Sequence, residues 1–555
     1  MQTYRAADLL VDTLIQQDIR RVFCVPGESY LSVLDAFTDQ STIEVVTARH
    51  EGGAGFMAVT EAKLGPRPGI CFVSRGPGAM NAAIALHTAQ QDALPLIMFV
   101  GQVARADLGR NAFQEVDYVS QWGKAAKWVW EVDDANQLAE VVDRAFQLAQ
   151  SPTPGPVIIS LPEDMLNDLV PKRSARAPIT AQLPGCDPTF VAAAHDLLAK
   201  AQKPLIIAGQ SLNHAQGRAA LQALAVKHQI PVAVSFRQQD LFPNDHENYA
   251  GHLIFNAPKQ LVEILSETDL ILALGTRLGD VTSQGYTLPR APQPEQPLIH
   301  VYPDPNELGR NFATDLGVAA NPTEFCNQLT ALPNTDSDAR QNWRREAHEK
   351  VRTLYAWQPT EAPDGVVFGN VVAAVNEMAA DDAIICVDAG NFSSWVQRIF
   401  NFTNERRMLA TISGAMGSAI PAAVASSLRY PQRQVIVFAG DGGFMMTGNE
   451  LATAQLYGAN IKVIVSDNRS LATIRLHQEL QYPNRISATE LANPDFVTLA
   501  QAHQMAGYRI ESDADITPVL TQALAEPGSA VIAVNSSMEY IAAFATLKKI
   551  RSQTQ

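Results

Sequence analysis

Asp441 and Asn468 are residues whose types and spacing point to chemistry. Asp441 sits in Gly440-Asp441-Gly442-Gly443, directly after the apolar run 435–439. Asn468 follows the next apolar run, 461–466, and lies 27 residues beyond Asp441. Glycines at 440, 442 and 443 let backbone approach a ligand closely. One carboxylate and one amide oxygen are too few donors to cage a cation alone. They suit Mg²⁺ or Ca²⁺, whose shell is completed by phosphate oxygens and water. Between them, Thr447-Gly-Asn-Glu450 reads as a capping box that starts a helix, and Gly458 as its left-handed stop. A right-handed βαβ unit then carries Asp441 and Asn468 beyond the carboxyl ends of two parallel strands, where open α/β sheets bind ligands.

Glu51 is the second candidate. The stretch Arg49-His50-Glu51-Gly52-Gly53-Ala54 follows the strand-like run 43–48 and opens a helix. A carboxyl group between apolar strand and helix is partly desolvated, which raises proton affinity and suits an acid serving a ring nitrogen. The alternative is an ordinary first-turn glutamate favoured by the helix dipole.

Such residues need a scaffold, and the chain supplies a repeating one. Buried strand patterns at 43–48, 69–74 and 95–100 alternate with helical stretches, and a second block repeats this at 204–208, 231–234, 270–274 and 298–301. That rhythm predicts an α/β fold of three doubly wound parallel-sheet domains, 1–168, 188–335 and 364–540. Of 555 residues, 46% are hydrophobic and 18% charged, a globular composition. The net charge of −15 offers no basic surface for nucleic acid, and no apolar run is long enough for a membrane span. The five cysteines form no CxxC, and the opening Met1-Gln-Thr-Tyr-Arg, with Asp8 and Asp12 soon after, lacks a secretory profile. A cytoplasmic protein without disulfides is expected.

The Gly440–Asn468 pattern resembles the thiamine-diphosphate motif, and Glu51 stands where that family carries its activating glutamate. The likeness covers nearly the whole chain and is nearest to the acetolactate (acetohydroxyacid) synthase large-subunit group. It is carried by Val25-Pro26-Gly27, Ser74-Arg-Gly-Pro-Gly-Ala-Met-Asn81, Gly101-Gln-Val, Ala112-Phe-Gln-Glu115, Asp388-Ala-Gly390-Asn391 and Ser413-Gly414-Ala-Met416-Gly417. The resemblance implies pyrimidine-binding, central and diphosphate-binding domains, in that order. It implies thiamine diphosphate held with Mg²⁺ by Asp441, Asn468 and the Ser470 carbonyl. Glu51 would bond the aminopyrimidine, Met416 would prop the bent cofactor, and Gly390 and Asn391 would touch the diphosphate. Gln114 matches an active-site glutamine. A homodimer or homotetramer with active sites at the subunit interface is implied, acting on a small 2-oxo acid and a carbonyl acceptor.

Five departures qualify the resemblance. Asp467 stands where the family usually has a first asparagine. Glu28-Ser29 replaces Gly-Ala after Pro26-Gly27; an acid there resembles simple 2-oxo-acid decarboxylases, and a solvated turn residue is the alternative. Arg75 replaces a small residue and reads either as a clamp for a substrate carboxylate or as a partner of a nearby acid. The segment 472–478 lacks the synthases' tryptophan. In the central domain only Arg277 and Asp280 survive of the flavin segment, so FAD is possible but not favoured. A non-ligating decarboxylase, a 2-hydroxyacyl lyase and a flavin-linked oxidase are the alternative activities.

Overall fold

The computed structural model describes residues 3–335 and 337–553; Met1 and Gln2, read above with the amino terminus, lie outside them. Three six-stranded sheets form, and every neighbouring pair of strands in them is parallel. The first runs Glu44–Thr47, Arg21–Cys24, Gly69–Val73, Leu96–Gln102, Pro156–Pro162, Trp128–Glu131. The second runs Tyr249–His252, Val232–Val234, Pro204–Ala208, Leu270–Leu274, Leu298–Tyr302, Leu316–Ala319. The third runs Arg407–Leu409, Ile384–Val387, Val435–Gly440, Lys462–Asp467, Ala530–Asn535, Ala506–Ile510.

These orders share one property that decides where ligands can go. In each sheet the chain builds outward from one strand and then crosses back to its other side. The reversal falls between Arg21–Cys24 and Gly69–Val73, between Pro204–Ala208 and Leu270–Leu274, and between Ile384–Val387 and Val435–Gly440. At such a switch point the connections leave in opposite directions and open a crevice outside the strands' carboxyl ends. The residues just past those ends are 25–28 and 74–76 in the first sheet, and 388–391 and 441–443 in the third.

The first and third sheets share one continuous apolar core, whereas the middle sheet has its own. The helix Glu51–Leu64 joins the two by packing on Ala419–Arg429. It is buried on nearly all sides, Gly52 through Thr60 included, so it has no polar face to show solvent. Gly55 is needed for its close approach to the helix Ala83–Asp92, because a Cβ there would overlap Ala85. All five cysteines are free and buried. Among the described residues, no helix is long and apolar enough to cross a membrane.

Candidate active site

The third-sheet crevice is a cavity of about 220 Å³. Gly390, Asn391, Gly414, Met416, Gly440, Asp441, Gly442, Gly443, Asn468 and Ser470, the third-domain residues expected to touch cofactor or metal, line it. Asp441 is 3% exposed. Its Oδ1 accepts the Gly442 N–H at 2.8 Å, and its Oδ2 accepts Asn493 Nδ2 at 2.8 Å. The same Asn493 amide donates to Asp467 Oδ1 at 2.8 Å, so it bridges two carboxylates that would otherwise repel. Burial, and then the nearby Asp467 charge, push the Asp441 carboxyl up to about 6. Asn468 Oδ1 accepts the Ser470 N–H at 3.1 Å, and the buried Ser470 Oγ has no hydrogen-bond partner among the described residues.

A buried carboxylate, an amide oxygen and an unsatisfied hydroxyl around one cavity fit a hard divalent cation that retains other oxygen ligands. The glycines contribute unequally. Gly443 leaves space for the Asp388 carboxylate, which a Cβ would strike, whereas Gly414 at φ +68° has nothing near its Cβ position. Asn493 escaped the sequence reading, because nothing in its spacing from Asp441 distinguishes it from any loop asparagine.

Asp388 lies next to the cavity-lining residue Ala389 and ties it to the segment after Met416. Its carboxylate accepts the N–H groups of Ala389, Gly417 and Ser418 at 2.9–3.3 Å. Burial pushes it up to about 6 from 3.8. An acid that holds its proton more tightly when folded adds stability at low pH and loses it as pH rises from 3.8 to about 6. That interval corresponds to ~3 kcal/mol at 1.36 kcal/mol per pH unit. Urea unfolding of the cofactor-free protein at pH 4.5 and 7 is expected to show this decline, and Asp388→Asn is expected to flatten it.

The first-sheet crevice gathers the other candidates. Glu51 is the first residue of its helix and half-buried; Asn81 Nδ2 donates to its Oε2 at 2.9 Å. Gly27, Ser74 and Gly78 share its wall: a Cβ on Gly78 would lie 3.2 Å from both Glu51 Oε1 and Ser74 Cβ, and one on Gly27 would lie 2.6 Å from Ser74 Cβ. Pro26 is exposed beside them. Gln114, at φ +65° in the later connection before the helix Tyr118–Trp122, packs its backbone over Gly76 of that wall.

Arg75 is buried and already engaged. Its Nη1 meets Glu163 Oε2 at 2.6 Å and its Nη2 meets Glu28 Oε1 at 3.3 Å. Of the two readings of Arg75, a carboxylate clamp or a partner of a nearby acid, these contacts match the second. Glu28 holds only the longer of these contacts, and its side chain is 67% exposed.

The Thr447–Glu450 capping box does not form. The helix begins at Asp441, straight after extended Gly440, and runs to Thr447, followed by a 3₁₀ turn Gly448–Glu450 and a new helix Leu451–Tyr457. Thr447 Oγ1 donates to the Gly417 carbonyl, and the Glu450 carboxylate turns to the first domain. Gly458 does end the later helix, at φ +65°.

Among the described residues, none of 3–168 lines the Asp441 cavity, so Glu51 stands outside it within one chain. At the middle switch point a cavity of about 470 Å³ is lined by Arg277 and Asp280 among others.

Three family profiles match the chain. "Thiamine pyrophosphate enzyme, N-terminal TPP binding domain" covers residues 4–121, the corresponding central domain covers 191–329, and the C-terminal TPP binding domain covers 388–534. The acetolactate synthase of Mycobacterium bovis is 31% identical over 545 residues, 95% of this chain and 87% of the relative. The acetolactate synthase isozyme 1 large subunit of Escherichia coli is 30% identical over 542 residues, 97% and 94%. The acetolactate synthase large subunit of Lactococcus lactis is 29% identical over 527 residues, 93% and 90%.

Proposed function

The chain belongs to the thiamine pyrophosphate enzyme family, and from that membership we propose that it decarboxylates a small, pyruvate-like 2-oxo acid and joins the remaining fragment to a second carbonyl. The bond to the carboxylate breaks with release of carbon dioxide, a new carbon–carbon bond forms, and the acceptor oxygen takes up a proton. Thiamine diphosphate, when bound, supplies the thiazolium carbon nucleophile on which this chemistry depends. The observation that carries the reading is the gathering of Asp441, Asn468, Ser470, Gly390 and Met416 around one cavity at a switch point.

In this reading Asp441, Asn468 and the Ser470 carbonyl hold Mg²⁺ against the diphosphate. Glu51 gives and takes the proton at the aminopyrimidine nitrogen, and Gln114 and Arg75 flank the substrate side. The reaction is redox-neutral and assigns no task to a flavin. The domains are 1–168, 188–335 and 364–540.

The separation of Glu51 from Asp441 supports a homodimer, or a dimer of dimers, in which each site joins the first domain of one subunit to the third of another. Apolar side chains stand exposed beside both half-sites, Met80 and Ile84 near Glu51 and Met445 and Met446 near Asp441. Burying such a patch favours association.

A second reading rests on Glu28, whose carboxylate adjoins Arg75 on the loop next to the Glu51 wall. An acid there would deliver a proton in place of the second carbonyl and release an aldehyde. Incubating the protein with thiamine diphosphate, Mg²⁺ and pyruvate separates the two. Acetolactate with carbon dioxide is expected. Free acetaldehyde as the main product would establish the non-ligating alternative.

A further inference from the structure

Glu450 is 0% exposed, and its carboxylate spans two domains. Oε1 accepts the backbone N–H groups of Arg49 and His50 at 3.1 and 3.0 Å. Oε2 accepts the Arg49 N–H at 3.1 Å and the Thr453 hydroxyl at 2.6 Å. Arg49 and His50 are the two residues immediately before Glu51, and their N–H groups precede the helix, where no helical carbonyl can satisfy them. His50 is extended, at φ −149° and ψ 142°, and its Nδ1 accepts the Gly52 N–H at 3.0 Å. The backbone N–H groups of Arg49, His50 and Gly52 around Glu51 are therefore all held.

Two further contacts show that this fit is built. Gly53 has no side chain where a Cβ would collide with the Glu450 carboxylate. At the far end of the helix Leu451–Tyr457, the Tyr457 hydroxyl accepts the Thr47 N–H at 2.8 Å and donates to the Val45 carbonyl at 3.2 Å. The 3₁₀ turn Gly448–Glu450 and the helix Leu451–Tyr457 that follows it thus grip the turn and the end of the strand that carry Glu51. Burial raises the proton affinity of Glu450, and its hydroxyl and N–H donors oppose that rise.

We propose that Glu450 is a positioning residue: its buried carboxylate fixes the Arg49–His50 turn and thereby aims Glu51. The proposal rests on Glu51 being the activating acid. A glutamine at 450 keeps the shape but presents an NH₂ group to backbone N–H donors, which loosens the turn. Misplacing a proton-transfer group by about 1 Å costs roughly 100-fold in rate.

The test compares wild type, Glu450→Gln and Glu51→Gln. Glu450→Gln is expected to lower kcat roughly 10- to 100-fold with KM and thiamine-diphosphate affinity little changed. It is also expected to speed amide hydrogen exchange in the peptide covering residues 47–53 of the cofactor-free protein. Glu51→Gln should lose turnover while keeping that amide protection. Wild-type kcat in Glu450→Gln, or a loss of kcat with residues 47–53 still protected, overturns the proposal. Full activity in Glu51→Gln overturns the reading beneath it instead, and the exchange result tells these failures apart. If Glu450→Gln does not fold, Gly53→Ala displaces the carboxylate without altering charge and is read the same way.

Discussion

Glu51→Gln is expected to bind thiamine diphosphate within a few-fold of wild type and to lose turnover by roughly 10²- to 10⁴-fold, the usual worth of a positioned general acid–base group. Affinity survives because the contacts proposed for the diphosphate and its metal belong to the third domain, and Glu51 lines none of that cavity. The glutamine is the same size and can still meet Asn81, which donates to the glutamate at 2.9 Å. What it cannot do is exchange a proton with a ring nitrogen. Calorimetric titration with cofactor and Mg²⁺ separates binding from turnover, and carbon dioxide release measures the rate. Turnover equal to wild type would remove Glu51 from the proposed chemistry.

What was legible in the sequence follows a physical division. Strands buried on both faces read as unbroken apolar runs, so 204–208 and 270–274 match the observed Pro204–Ala208 and Leu270–Leu274. Residues just past such strands fall at the crevices by topology alone, which is why Gly27, Ser74, Gly390 and Asp441 could be placed without knowing any contact. The partners of buried charges followed no such rule. Thr447 and Glu450 have capping-box spacing, yet Glu450 is drawn to N–H groups about 400 residues earlier, and Asp441 had already begun the helix. Arg75 finds Glu163, 88 residues away, and Asp441 finds Asn493, 52 residues away. Local periodicity reports which face of an element is dry. It carries no information about which distant polar group enters the same dry space.

Asp441→Ala is expected to weaken Mg²⁺ binding in the presence of thiamine diphosphate by at least roughly 100-fold, since even outer-shell changes at metal sites cost 10- to 100-fold. The alanine removes the only carboxylate among the three proposed ligands. It also leaves the Asn493 amide with Asp467 alone of the two carboxylates it bridges, so the neighbouring loop loses a tie. The wild-type pH dependence gives the assignment a second handle. Burial holds the metal-free Asp441 carboxyl up to about 6, whereas a ligand must be ionised. Metal binding therefore displaces a proton below that pH, and wild-type affinity should fall as pH drops from 7 to 5. In Asp441→Ala the weak residual binding should lose this portion of the pH dependence. Titrating each protein with Mg²⁺ at fixed thiamine diphosphate, at pH 5, 6 and 7, reads both effects together. Unchanged cofactor retention in the variant would remove Asp441 from the metal site. A wild-type affinity flat across that range would show that the carboxyl is ionised before the cation arrives, and that Asn493 and the local backbone hold its charge in the metal-free protein.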